Sequence, residues 1–321
     1  MRNSFIAALL GLFAVAAAAQ GQSFPAKPVR FMVGFAPGGA SDITARVVAQ
    51  KMGEIWAQTV IVENRPGASG IIGADAVAKA PPDGHLLLVT SQTSTAVATS
   101  LYSKLPYDVL KDFTIVSVIG STATILAVHP SVPAKTFPQF VLLAKTAPQS
   151  MSFASSGFGS VSHFGGELLG LALKVKMVPI PYKGESPALT DVIGGQLPFM
   201  FGSLPLAMPH IKAGKLRGLA VTSLQRSPIA SEYPTVVESG IPDFEMVAWQ
   251  GLYGPASLPK ELVARINADI TRALQTPDVN ERLTQQGIDR VANTPEQASA
   301  YLKTEIAKYA KIVKSANLRV D

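Results

Sequence analysis

The stretch FMVGFAPGGASD, residues 31–42, decides how the chain is expected to fold. Its apolar start, Phe31–Phe35, is typical of a buried strand, and the Pro-Gly-Gly triplet at 37–39 breaks that strand. Ser41 and Asp42 are residue types that cap helices, and apolar residues then recur at helical spacing. The stretch therefore predicts a strand, a glycine turn and a helix that Ser41 or Asp42 caps.

The predicted turn is a candidate site for an anion. Gly38 and Gly39 have no side chains, so a ligand can approach the backbone closely. The first N–H groups of a helix lack intrahelical partners and lie at the positive end of its dipole. A turn that binds nothing is the alternative. Residues 34–41 nearly fit a nucleotide-binding phosphate loop, but Ala40 replaces the required lysine, which disfavours nucleotide hydrolysis.

The N-terminus is typical of an export signal. Arg2 precedes the apolar run 5–19, and Ala17 and Ala19 form the small-residue pattern of a signal peptidase site. We expect residues 1–20 to be a signal peptide that is removed, which leaves a soluble protein in the periplasm. The chain has no cysteine, which excludes disulfides, a thiol nucleophile and a lipid-modified cysteine.

Length and charge limit the classes of function. About 300 residues after the signal favour two domains over one. The formal net charge is +6, from 28 Lys and Arg against 22 Asp and Glu. The basic residues are scattered and form no stripe interleaved with aromatic residues, so a nucleic-acid partner is not expected. A mild positive field suits a small anionic ligand.

Strand-like and helix-like segments alternate along most of the chain, which favours a mostly parallel sheet with helices on both faces. Ligands in such sheets bind beyond the carboxyl ends of the strands. The turn at 34–41 and the hydroxyl-rich loop Thr90–Thr95 both lie at such ends. A second glycine turn, Gly157–Ser160, also follows a strand and precedes a helix, so it is a second candidate anion site.

Further strands and helices are predicted from local sequence patterns. Ile115–Ile119 and Ile125–His129 are predicted as two strands that Gly120–Ala123 separates. Ser186 is predicted to cap a helix. Three amphipathic helices are predicted after residue 260, and Thr294 begins the last of them with a capping box.

Seven longer motifs occur together in one order. They are FAPGGASDITAR at 35–46, VENRPGASGIIGADAVAKAPPDGHLLL at 62–88, LPYDVLKDFT at 105–114, GFGSVSHFGGELL at 157–169, IPYKGESPALTDVIGGQL at 180–197, SLPLAMPHIKAGKLRGLAVTS at 203–223 and YPTVVESGIPDFE at 233–245. With these motifs the chain resembles the periplasmic solute-binding proteins of the tripartite tricarboxylate transporter group, the Bug family. The resemblance covers essentially the whole chain after the signal.

The resemblance implies an α/β, two-domain periplasmic binding protein of the type II-like class. Its mixed, mostly parallel sheets would be joined by a hinge of two crossing strands. Domain 1 is expected at 24–123 and 223–321, and domain 2 at 124–222. In the family, the loops that match 35–42 and 157–160 hold carboxylates through backbone N–H groups and waters.

The candidate ligand-binding residues come from these loops and from the strand ends beside them. They are Phe35, Ala36, Gly38, Gly39, Ala40, Ser41, Asp42, Ser91, Gln92, Thr93, Gly157, Phe158, Gly159, Ser160, His163, Tyr182, Lys183, Gly202 and Ser203. For Asp42, helix capping is favoured over ligand contact. A solvated turn is the alternative for Tyr182 and Lys183. The family often has aspartate at position 202, so a contact at the pocket floor is expected to differ here.

The expected function is capture of a small carboxylated ligand, without catalysis, for a membrane transporter of the same group. A periplasmic sensor for a signalling partner is the alternative. An exported hydrolase is disfavoured because the chain has no GxSxG elbow around Ser160 or elsewhere. The four histidines show no metal-ligand spacing, so neither a metal nor another cofactor is expected. We expect a monomer that holds its ligand through backbone N–H groups, hydroxyls and waters, not through Arg46.

Overall fold

The computed structural model describes residues 24–146, 151–182, 184–315 and 317–318. The predicted signal peptide and Lys183 lie outside the described residues. Within the described ranges, every helix is too short or too polar to cross a membrane.

The described residues contain ten strands, which form one mixed sheet. They are β1 (Val29–Val33), β2 (Val60–Asn64), β3 (Leu86–Ser91), β4 (Phe113–Val128), β5 (Met151–Ser155), β6 (Met177–Pro181), β7 (Phe199–Ser203), β8 (Arg217–Val221), β9 (Val247–Pro255) and β10 (Asp289–Arg290). The order across the sheet is β2-β1-β3-β9-β4-β7-β5-β6, and β8 and β10 also pair with β4. The outer strands pair in parallel, whereas the pairings of β4 and β9 are antiparallel. The mixed sheet agrees with the expected fold class.

In the part of the chain that the structure describes, ten α-helices pack on the two faces of the sheet. They are α1 (Ala40–Trp56), α2 (Ile71–Ala78), α3 (Ala98–Leu101), α4 (Phe137–Thr146), α5 (Val161–Leu173), α6 (Glu185–Ile193), α7 (Leu204–Lys212), α8 (Lys260–Gln275), α9 (Pro277–Gln285) and α10 (Pro295–Ser315). The three predicted C-terminal helices are confirmed as α8, α9 and α10.

Strand β4 joins two halves of the sheet. The first half contains β1, β2, β3, β9 and β10, and the second contains β5, β6, β7 and β8. Residues 113–123 pair with β9, and residues 124–128 pair with β7. The prediction of two strands separated at Gly120–Ala123 was wrong, because these four residues stay extended while they pair with residues 247–250 of β9. The ladder satisfies their backbone groups, so no turn forms there.

Three apolar clusters hold the helices against the sheet. One cluster lies beneath α1, α8 and α9 and includes Val48, Ile266 and Leu283. A second cluster lies beneath α6 and α7 and packs against the second half of the sheet. The third lies on the opposite face from the first and spans both halves, since α10 packs against both α3 and α5. In it, the ring centroids of Phe164 and Tyr309 are 5.1 Å apart.

Two predicted helix caps were wrong by a few residues. Gly39, not Ser41 or Asp42, is the N-cap of α1, because its extended backbone (φ −83°, ψ 168°) already places Ala40 in the first turn. Helix α6 begins at Glu185 after Gly184, whose φ of 118° sets the turn before Ser186. The capping box at Thr294 is confirmed by reciprocal hydrogen bonds with Gln297 of 3.0 and 3.3 Å.

Candidate ligand-binding cleft

The two predicted loops lie in different halves of the sheet. The loop after β1 begins α1 on one side, and the loop after β5 begins α5 on the other. Gly159 in the second loop packs against α3 of the first half: a Cβ built on Gly159 would lie 2.5 Å from Cδ2 of Leu101 and 3.6 Å from Cγ1 of Val97. The backbone of this loop therefore approaches the first half closely.

The start of α1 offers several backbone donors. The N–H groups of Gly39, Ala40 and Ser41 have no hydrogen-bond acceptor among the described residues, and the helix has no side-chain cap. Gly38 and Gly39 are exposed, and a Cβ on Gly38 would meet nothing within 4 Å. Gly39 therefore lies at the open, positive end of a 17-residue helix, whereas Ala40 is half-buried and Ser41 is buried.

Asp42 stabilises this loop from inside. Its Oδ2 accepts hydrogen bonds from Gly38 N–H at 2.9 Å and from Arg46 Nε at 3.0 Å. Its Oδ1 accepts one from Asn64 Nδ2 at 2.8 Å, and the same Asn64 nitrogen donates to the Phe35 carbonyl at 3.0 Å. Burial pushes the pKa of Asp42 upward, but the hydrogen bonds from Arg46, Gly38 and Asn64 outweigh it and hold the pKa below its usual value. Asp42 and Arg46 thus neutralise each other within the loop.

The second loop satisfies many of its donors internally. Gly159 N–H donates to Nδ1 of His163 at 3.0 Å, and Gly157 N–H donates to Ser155 Oγ at 3.3 Å. Ser160 is the N-cap of α5 and its Oγ accepts from His163 N–H at 3.2 Å. Gly157 and Gly159 have φ of 135° and 74°, which only glycine adopts readily.

Hydroxyl groups surround the start of α5. Ser162 Oγ accepts from Ser156 N–H at 2.7 Å and lies 2.9 Å from Ser156 Oγ and 3.0 Å from Ser160 Oγ. The N–H groups of Val161 and Ser162 have no acceptor among the described residues. This helix start therefore combines two backbone donors with three serine hydroxyls.

Comparison with known proteins identifies the family. The model of the tripartite tricarboxylate transporter family receptor matches residues 44–318. The chain belongs to this family. BugT of Bordetella pertussis is 33% identical to it over 325 residues, which cover 100% of both chains. The predicted resemblance is therefore confirmed, and this receptor is a binding protein, not an enzyme.

Two solved structures similar to the receptor contain carboxylates. A Rhodopseudomonas palustris protein solved with adipate is 30% identical, with a TM-score of 0.84 over 93% of this chain and 100% of its own. MatC of the same organism, solved with malate, is 34% identical, with a TM-score of 0.78 over 90% of this chain and 100% of its own.

Two candidate residues of the receptor are already engaged in internal hydrogen bonds. Gln92 is fully buried, and its amide accepts from Trp249 N–H at 3.0 Å and donates to the Val247 carbonyl at 3.1 Å. The Tyr182 hydroxyl donates to Asp191, and this hydrogen bond, with burial, raises the pKa of Tyr182 to about 12. The polar groups of both side chains are therefore used within the protein.

Ser203 is also engaged, by an acidic residue that the sequence did not single out. Its N–H and its hydroxyl both donate to the Glu185 carboxylate, the latter at 3.0 Å. Burial raises the pKa of Glu185 although these hydrogen bonds oppose the rise. A Cβ on Gly202 would lie 3.7 Å from Glu185 Oε1. A carboxylate of the receptor itself therefore occupies the start of α7.

The remaining candidates differ in exposure. Ala36 and Phe158 are exposed, and Phe35 is half-buried. Ser91 and Thr93 are half-buried and bonded to each other, because Ser91 Oγ accepts from Thr93 N–H at 3.4 Å. No group of three or more metal-ligating side chains occurs in the described part of the chain.

The glycine-rich turn after β2 packs directly against the first predicted loop, a contact that the sequence analysis did not anticipate. A Cβ on Gly34 would lie 2.7 Å from the Gly70 carbonyl oxygen, and one on Gly73 would lie 2.8 Å from Gly34 Cα. Ser69 has a left-handed φ of 55°, and its Oγ lies 3.2 Å from the Tyr102 hydroxyl. Gly67, Gly70 and Gly73 in the motif at 62–88 were the available signal, since such spacing allows two backbones to pack directly.

Proposed function

We propose that the receptor captures a small carboxylate in the cleft between the two halves of the sheet and delivers it to the membrane subunits of a tripartite tricarboxylate transporter. The observation that carries the proposal is the start of α1. There, the N–H groups of Gly39, Ala40 and Ser41 have no acceptor among the described residues, and Gly39 is exposed. An anion at such a site is stabilised by about 0.3–1 kcal/mol, or about 2 kcal/mol when partly buried.

The charges around the site favour a backbone cradle over an arginine fork. Arg46 donates to Asp42 and, at 2.9 Å, to Asn64 Oδ1, so its head group is engaged. Val161 and Ser162 at the start of α5 provide a second pair of donors on the other side of the cleft. Two sites suit a dicarboxylate, and the adipate and malate complexes of similar proteins support that class.

We further propose two domains, 24–123 with 223–321 and 124–222, and ligand-driven closure between them. The hydroxyls of Thr124 and Thr222 lie 2.8 Å apart at the proposed boundary, and Thr222 Oγ1 donates to the Met246 carbonyl at 2.6 Å. The two crossing segments held together there would form the hinge, in which small backbone changes produce closure.

The family and the N-terminal sequence support further proposals about location and partners. The receptor would be a periplasmic monomer after removal of residues 1–20. It would bind neither nucleic acid nor a cofactor, and its macromolecular partners would be the transporter's membrane subunits.

A thermal-shift screen tests the ligand class. We expect adipate, malate or benzoate to raise the melting temperature in proportion to the logarithm of its concentration. Maltose and choline serve as neutral and cationic controls and are expected to leave it unchanged. Stabilisation by the controls alone would contradict the proposal.

A further inference from the structure

A carboxylate of the receptor itself is bound at the start of α7. Ser203 is the N-cap of α7, and its own side chain makes no capping hydrogen bond. Instead, its N–H and its hydroxyl both donate to the carboxylate of Glu185, the first residue of α6. The N-terminal end of a helix favours a negative charge, so Glu185 fills a position that would otherwise suit an anionic group of a ligand.

This position lies beside the proposed donor site at the start of α5. Strands β7, β5 and β6 are parallel neighbours, so their carboxyl ends meet at one edge of the sheet. Gly184 N–H donates to the Ser156 carbonyl at 3.1 Å, and Ser156 N–H donates to Ser162 Oγ at 2.7 Å. Ser156 therefore connects the start of α5 directly to the residue before Glu185.

The Glu185 carboxylate places a negative charge near the proposed ligand. Its two hydrogen-bond partners among the described residues, the N–H and the hydroxyl of Ser203, are neutral. Glu185 and Ser203 are both half-buried, so water screens this charge less than it would on an open surface. Like charges in such surroundings repel each other over several ångströms. A ligand carboxylate that approaches the start of α7 is therefore disfavoured without touching Glu185.

We propose that Glu185 limits the number of carboxylates that the receptor accepts, so that dicarboxylates are captured and tricarboxylates are rejected. The proposal rests on the proposed function, in which the starts of α1 and α5 hold two ligand carboxylates. A third carboxylate would approach the start of α7, which Glu185 already fills, and two carboxylates that share one site cannot both ionise without a penalty.

The charge of Glu185 distinguishes ligands by their ionised groups and not by their size alone. An uncharged hydroxyl in the same position carries no repulsion, so a hydroxylated dicarboxylate is still accepted. Selection by a repulsive group in the protein is a common way to discriminate between related ligands. The expected preference is therefore for acids with two carboxylates, with or without hydroxyl groups.

Titration calorimetry with di- and tricarboxylates tests this role at pH 8, because burial raises the pKa of Glu185. The pairs are glutarate with tricarballylate, which adds one carboxylate to the same chain, and malate with citrate. In at least one pair we expect wild type to bind the dicarboxylate at least tenfold more tightly. Glu185→Gln keeps the side-chain length and an acceptor for Ser203 but removes the charge.

The variants are expected to differ in their affinity for the tricarboxylate. Glu185→Gln should reduce the preference below threefold through tighter tricarboxylate binding, while dicarboxylate affinity stays within threefold of wild type. Glu185→Ala, which also opens the start of α7, should bind the tricarboxylate at least as tightly as Glu185→Gln does. Glu261→Gln is the matched control, since it removes an exposed carboxylate from the first turn of α8, and it should keep the wild-type preference.

The outcomes separate the two proposals. Equal affinity of wild type for both members of each pair overturns the exclusion and leaves carboxylate binding intact. A preference retained in Glu185→Gln and Glu185→Ala also overturns it, because Glu185 would then serve only to cap α7. An equal loss of preference in Glu261→Gln would assign the effect to net charge and overturn it as well. Absence of binding by all four acids in wild type counts against both proposals.

Discussion

The backbone N–H of Gly159 donates a 3.0 Å hydrogen bond to Nδ1 of His163. The imidazole is 1% exposed, and its ring centroid is 4.7 Å from that of Phe158. Since Nδ1 accepts, a neutral ring carries its proton on Nε2. The Gly159 N–H is thereby unavailable to a ligand, so His163 positions the second loop and the free donors belong to Val161 and Ser162.

Two substitutions of His163 distinguish the role of its Nδ1 acceptor from the role of its ring. His163→Asn places a side-chain oxygen near the position of Nδ1 and is expected to keep ligand affinity within about threefold. His163→Phe keeps the ring and loses the acceptor, and is expected to weaken binding tenfold, which is about 1.4 kcal/mol. Calorimetry with the most stabilising acid of the thermal-shift screen measures both. Equal affinities for the two variants would refute the positioning role.

The two glycine loops are expected to differ in their tolerance of a side chain. Gly159 has φ of 74°, and its Cβ would meet Leu101 at 2.5 Å, whereas a Cβ on Gly39 would have only Ala36 O near it, at 3.9 Å. We expect Gly159→Ala to lower the free energy of unfolding by about 1–3 kcal/mol. Gly39→Ala is expected to change it by less than about 0.5 kcal/mol. Urea denaturation measures the free energy of unfolding of both variants. Equal losses in the two variants would contradict the left-handed backbone conformation at Gly159.

The Asp42 carboxylate is expected to stabilise the fold only above acidic pH. Its pKa is lowered in the folded state, so its contribution is present above the unfolded value of about 3.9. That contribution is lost as the pH falls through the lower folded value. Asp42→Asn should therefore lower the free energy of unfolding by about 2 kcal/mol at pH 7, and by progressively less as the pH falls from about 4 through the lower folded pKa. Urea denaturation at several pH values measures this loss, and Glu232→Gln, at an exposed position, is the control. A loss of stability in Asp42→Asn that does not depend on pH would contradict the link between the Asp42 pKa and stability.

The order of elements was predictable because local signals set it. The glycine turns at 37–39 and 157–160 break apolar runs just before helices, and both lie where the sequence placed them. The continuous strand β4 was not predictable, since Gly120–Ala123 looks like a turn until its partners in β9 are known. Backbone pairing between distant segments outweighed local turn propensity there.

The candidate site was predictable at the level of loops but not of individual side chains. Gln92 follows β3 and Ser203 ends β7, positions where ligand contacts are expected, yet their polar groups bond to Trp249 and Glu185. Those partners lie far away or on another helix, and the sequence pattern contains no signal for either pairing. Asn64 was missed for the same reason, because its hydrogen bond to the Phe35 carbonyl depends on the pairing of β1 with β2.

Ligand is expected to close the proposed hinge. A small-angle scattering comparison should show a smaller radius of gyration with saturating ligand than without it. Gly159→Val should blunt this change, because the added side chain would collide with Leu101 when the halves approach. An unchanged radius in wild type at saturation would argue against closure.

The central claim is that backbone N–H groups at the start of α1 hold the ligand carboxylate, and calorimetry on Gly39→Val tests it most directly. Gly39 has a φ of −83° and open space around it, so valine there blocks the ligand without straining the turn. Gly194→Val is the matched control, since Gly194 also has a negative φ, of −75°, and lies at the end of α6. With the tightest-binding acid of the screen, we predict at least tenfold weaker binding for Gly39→Val and unchanged binding for Gly194→Val and Arg46→Gln. Wild-type affinity in Gly39→Val together with loss of binding in Arg46→Gln would contradict the claim.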